Sequence, residues 1–165
     1  MKRIAILLLL AGCASFDGKG LLPGQSTAAD VEAVMGQAAD KRPGASGETV
    51  YYYPRLPWGY ATYAARIAPD GKLIALEQRL TEENIDRVKP GATRADEVRD
   101  LLGPPYDPMK QALSGNEIWT YPMRIESDPT PKWFVVHISP DDVVRETYLF
   151  DDMNYNRWGG PEPRR

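Results

Sequence analysis

The chain has 165 residues, 42% of them hydrophobic and 26% charged, with a formal net charge of −3. This is the composition of a globular chain, long enough for one domain or two small ones. The acid excess argues against nucleic-acid binding, which asks for a basic face, and a single cysteine with a single histidine argues against thiol, imidazole and metal-cage chemistry.

The N-terminus opens with the positive pair Lys2-Arg3, followed by an unbroken apolar run from Ile4 to Ala11. A membrane span needs about 20 apolar residues, so this run fits the hydrophobic region of a signal peptide instead. It ends in Leu10-Ala11-Gly12-Cys13, which resembles a bacterial lipobox, with the sole cysteine where cleavage would expose it. The resemblance implies a signal peptide over residues 1–12 and acyl chains on Cys13. At about 0.8 kcal/mol per buried methylene, two or three chains would hold a small domain to a membrane. Ala14 is not the aspartate that favours inner-membrane retention in enterobacterial lipoproteins, so the expected location is the periplasmic face of the outer membrane. Loss of Lys2 and Arg3 would take the net charge from −3 to −5.

Residues 13–22 are short, polar and glycine-containing, and read as a tether. A first unit over 23–80 starts with a helix from Thr27 to Met35. Residues 37–47 lack periodicity and read as a loop. Strands are expected at Val50–Tyr53, stopped by Pro54, at Thr62–Ile67, and at Leu73–Arg79 after the tight turn Pro69-Asp70-Gly71. A second unit over 81–150 opens with a short helix capped by Thr81. The helix that follows has both ends written out. Thr93 with Asp96 predicts a capping box, Val98, Leu101 and Leu102 form one apolar stripe, and Gly103 before Pro104-Pro105 predicts a left-handed stop. Then come a loop over 107–115, a strand at Glu117–Tyr121 stopped by Pro122, a proline loop over 127–131, a strand at Lys132–Ile138, a turn at Pro140-Asp141-Asp142 and a strand at Val143–Phe150. Residues 151–165 read as a flexible tail.

The two units are an internal repeat. Gly24/Gly91, Ser26/Thr93, Val31/Val98, Met35/Leu102 and Gly36/Gly103 share one offset of 67, on residues with distinct structural jobs. The expected fold class is α+β, two repeated units, each with short helices packed on a three-stranded antiparallel sheet.

The pattern Thr81, Ile85, Gly91, Thr93, Val98, Leu101-Leu102-Gly103, Pro105, Trp119 and Tyr121 resembles the SmpA/OmlA (BamE-like) family of outer-membrane lipoproteins, here as a tandem. That resemblance implies an accessory or scaffold role in outer-membrane protein assembly or envelope integrity, with the β-barrel assembly machinery as partner. The tandem is also similar to secreted β-lactamase inhibitory proteins, whose two copies form one concave sheet. That similarity implies the alternative of binding or inhibiting a periplasmic enzyme.

The carboxylate pairs fit helix starts, a turn and the tail, and His137 lies in a strand between Val136 and Ile138. No constellation assembles catalytic roles, so no enzyme, cofactor, metal or small-molecule substrate is expected. Tyr51, Tyr53, Trp119 and Tyr121 read as core beneath the helices. On the opposite face the first unit carries Thr62, Ala64 and Arg66 where the second carries Trp133, Val135 and His137. A sheet covered on one side alternates apolar-in and polar-out, so Trp133 and Val135 are expected to meet the other repeat or a partner. Trp58 and Tyr60, in turn text, are weaker candidates of the same kind.

Overall fold

A computed structural model describes residues 17–153. The predicted signal peptide, Cys13 and most of the tail lie outside the described residues.

The fold is α+β, built from two successive units. The first comprises helix α1 (Ala28–Met35) and strands β1 (Asp40–Pro43), β2 (Thr49–Pro54), β3 (Thr62–Ile67) and β4 (Leu73–Gln78). The second comprises α2 (Glu82–Asp86), α3 (Ala95–Leu102), β5 (Tyr106–Lys110), β6 (Glu117–Ile125), β7 (Asp128–Ile138) and β8 (Val144–Asp151). Each unit has its own four-stranded antiparallel sheet, ordered β1-β2-β3-β4 and β5-β6-β7-β8. The expected three strands per sheet are thus corrected to four. The added strands, β1 and β5, occupy sheet edges; they carry proline and charge, which edge strands tolerate. The hairpin from Glu117 to Ile138 also runs through Pro122, Pro129 and Pro131. At Pro122 the β5 pairing, which reaches Thr120, has already ended, so the missing N–H faces no ladder on that side.

The repeat is carried by equivalent hydrogen bonds. Gly24 N–H donates to Leu73 O and Gly91 N–H to Val144 O, each at 2.8 Å. The Ser26 hydroxyl accepts from Leu22 N–H at 2.9 Å and the Thr93 hydroxyl from Lys89 N–H at 2.8 Å. Ser26 and Thr93 therefore tie down the preceding turn rather than cap a helix. The caps stand one residue later. Thr27 and Asp30 form a full capping box, and Glu97 reaches back to Arg94 N–H at 2.7 Å. The predicted Thr93–Asp96 box is corrected to Arg94–Glu97, half a box because arginine has no acceptor to offer the helix.

Gly36 and Gly103 end their helices with φ 85°, ψ −171° and φ 83°, ψ −169°. Positive φ is as expected. The ψ is extended rather than left-handed helical, a region that essentially only glycine enters.

Each unit has a core between its helices and one sheet face. Val31 and Met35 pack with Tyr53, Ala65, Ile67 and Leu73 in the first. Ile85, Val88, Val98 and Leu102 pack with Trp119, Tyr121, Phe134, Val136 and Ile138 in the second. The stretch read as a tether is docked by its end, since Leu21 packs on the first core. The other face of the first sheet lies against the outer side of α3. Tyr52 Oη donates to Asp100 O at 3.0 Å, Arg79 Nη2 donates to the same carbonyl at 2.7 Å, and Arg42 Nε meets Asp100 Oδ1 at 2.6 Å. The layers thus run α1, first sheet, α3, second sheet. The single concave sheet of the alternative reading is not formed.

Candidate interaction surfaces

Antiparallel pairing places residues directly opposite each other on one face. The second sheet's outer face therefore holds three cross-strand rows: Ile118–His137–Glu146, Thr120–Val135–Tyr148 and Pro122–Trp133–Phe150. Tyr106, opposite Thr120, meets the Trp133 ring edge-on at 6.3 Å between centroids. His137 and Tyr148 make a similar contact at 5.3 Å. Trp133 is half-buried and Val135 buried, so neighbours in their own sheet already shield much of both. Tyr148 and Phe150, on edge strand β8, are 46% and 49% exposed. The first unit lies on the opposite side of this sheet, beyond α3.

The equivalent face of the first sheet is closed. Thr62 and Ala64 have no exposed surface, and Tyr52 is 1% exposed. A Cβ placed on Gly103 would come within 2.7 Å of Thr62 Cγ2 and 2.9 Å of Tyr52 Cδ1. Residues 62 and 64 are small where the end of α3 sits against the sheet. Tyr52 is the interface residue that sequence reasoning missed. Its signal was its place as the middle of three consecutive tyrosines, which strand alternation sends to the face opposite Tyr51 and Tyr53.

The cleft at this contact is ionic. Glu48, 6% exposed, accepts from Arg66 Nη2 at 2.8 Å and from Ser46 N–H at 2.9 Å. Glu77 Oε2 meets Arg79 Nη1 at 2.7 Å. Backbone hydrogen bonding and Arg66 hold the Glu48 carboxyl below its ordinary range. These acids and bases pair within the first unit, while Arg79 and Arg42 carry the contact across to Asp100 of the second. Among the described residues no group of three or more His, Cys, Asp or Glu is placed to hold a metal ion.

Trp58 and Tyr60 separate in role. The Tyr60 ring has the Arg124 guanidinium 4.9 Å from its centroid, and its Oη lies 3.4 Å from Asp152 Oδ2. Tyr60 thus bridges the first unit's loop to the far hairpin of the second, and Leu56 from the same loop packs on the second core. Trp58 is 75% exposed. It lines an open groove of about 840 Å3 with Pro54, Leu56, Ala61, Tyr63 and Asp17.

No protein-family model matches the chain, and no curated protein matches it. Among solved structures, the chain is similar to a DUF4309-family protein (YjgB) from Bacillus subtilis at 17% identity, over 81% of this chain and 84% of that one. The TM-score is 0.31, too slight a likeness to carry fold or function.

Proposed function

We propose that this protein is a lipoprotein anchored through Cys13 to the periplasmic face of the outer membrane, and that it works by protein–protein contact. Its role is that of an accessory or scaffold in outer-membrane protein assembly or envelope integrity, as the SmpA/OmlA resemblance implies. The observation that supports contact as the mode of action is the outer face of the second sheet. There Tyr148 and Phe150 stand exposed beside Trp133, whereas the corresponding face of the first sheet is covered by a helix. Exposed aromatic clusters of this kind suit interface anchors.

The test is affinity recovery of the lipoprotein in mild detergent, with partners identified by mass spectrometry, for the natural chain and for Tyr148→Ser/Phe150→Ser. Assembly-machinery subunits recovered with the natural chain and lost from the double variant, at an unchanged melting temperature, are the expected result. Equal recovery by both would refute the surface. Recovery of a soluble periplasmic enzyme instead would turn the reading to the inhibitor alternative.

A further inference from the structure

Among the described residues, the exposed aromatic that the partner surface does not use is Trp58, on the opposite unit. It sits in the loop between β2 and β3, in a groove walled by Pro54, Leu56, Ala61 and Tyr63. Most of that wall is apolar, and Trp58 itself projects from it with three-quarters of its surface exposed. Asp17, the first described residue, lines the same groove. Cys13 is four residues upstream of Asp17. At about 3.3–3.6 Å per residue, a chain of that length spans at most about 14 Å.

We propose that the Trp58 groove docks on the lipid bilayer, with the indole seated at the headgroup level beside the acyl anchor. The inference rests on lipidation of Cys13. Once that anchor is in the membrane, the four-residue link keeps the groove within about 14 Å of it. The headgroup layer is itself about 5–7 Å deep on each side of the hydrocarbon, so the groove and the layer are neighbours by covalent connection alone. Tryptophan and tyrosine suit that layer because one end of the ring is apolar and the other can hydrogen-bond. Trp58 and Tyr63 supply this chemistry, and Pro54, Leu56 and Ala61 add apolar surface around them. Arg55 also lines the groove; its Nη2 donates to Met35 O at 3.1 Å, which ties the loop to the end of α1. Tyr60 ties it to the second unit. Docking through a loop held at both sides would fix the tilt of the whole molecule, which a flexible acyl anchor alone does not.

The experiment uses the full lipoprotein, purified from membranes and reconstituted into phosphatidylethanolamine/phosphatidylglycerol vesicles. The phospholipids are either ordinary or brominated near the glycerol end of their acyl chains. Emission of the natural protein minus that of Trp58→Phe isolates the indole at position 58. The expected result is a difference spectrum shifted to the blue and at least halved in intensity by the brominated lipid. The mass of the N-terminal peptide reports the acyl chains on Cys13 independently. An acylated protein that floats with the vesicles, yet whose difference spectrum ignores the brominated lipid, would overturn the docking and leave the anchor standing. An unmodified Cys13 would overturn both.

Discussion

Gly36 and Gly103 end equivalent helices with nearly equal backbone angles, but what a side chain would meet at the two positions differs. An alanine at either is forced into a region reserved for glycine, at a cost of about 1–3 kcal/mol. At Gly36 nothing lies within 4 Å of the added Cβ, so that strain is the whole cost. At Gly103 the same Cβ would sit 2.7 Å from Thr62 Cγ2 and 2.9 Å from Tyr52 Cδ1. Both groups are fully packed, so overpacking adds about 1–3 kcal/mol. Gly103→Ala is therefore expected to cost about 2–6 kcal/mol against 1–3 for Gly36→Ala. Urea unfolding followed by circular dichroism measures both, and a melting shift of about 2–4 °C per kcal/mol gives an independent reading. Thr62→Ser removes the nearer clashing methyl, so it should recover part of the loss in the Gly103→Ala background, although alone it costs about 1 kcal/mol for the buried methyl it deletes. Such coupling is what a double-mutant cycle detects. Equal costs at the two glycines, with no coupling to Thr62, would show that the first sheet does not rest on the end of α3.

Tyr52→Phe should destabilise by about 1 kcal/mol through loss of the bond to Asp100 O, whereas Tyr51→Phe, by its place on the other face, should leave the joint between units intact; unfolding free energies compare them. Glu48 titrates below its usual 4.5 when folded, so its contribution is present above the unfolded value and lost as pH falls through the folded one. Glu48→Gln should accordingly flatten the acid limb of the stability curve, measured as unfolding midpoint against pH. Trp133→Ala should cost somewhat less than the ~3–5 kcal/mol of a fully buried tryptophan, because part of its surface stays exposed, and thermal melting would show it. Cys13→Ala should abolish acyl labelling and leave the precursor unprocessed on a gel; unchanged labelling would remove the anchor.

How much of this was legible depended on whether a residue's role is local. Strand β3 was read to the residue because alternation and the Pro69-Asp70-Gly71 turn fix it from both sides. The helix stops at Gly36 and Gly103 were equally plain. Edge strands β1 and β5 were hidden because proline and charge, which protect an edge, read as loop. The one-residue error at Thr93 came from a hydroxyl that serves the turn before the helix, together with a carbonyl that accepts from Val144 N–H at 2.9 Å. The role of Thr62 and Ala64 was not legible, because their small size is what lets a helix approach. That meaning belongs to contacts about 40 residues away in the chain, to which periodicity is blind. Comparing the repeats singled out the Trp133 face, because there the two copies disagree, but Trp133 meets neighbours in its own sheet rather than the other repeat.

The order of layers gives the molecule a direction. One unit offers the back of its sheet and the next receives it on a helix, so the contact is between unlike surfaces and is not self-complementary. Such a joint closes nothing: among the described residues, the outer side of α1 and the outer face of the second sheet are left as unlike ends. A third copy could be added at either end by gene duplication without disturbing the existing joint, as in solenoid arrays. Only the residues of the terminal surface would have to change, from those assigned by the proposal to a partner to those that admit another helix. The contrast between Thr62-Ala64 and Trp133-Val135 is that change, seen between an inner sheet and a terminal one.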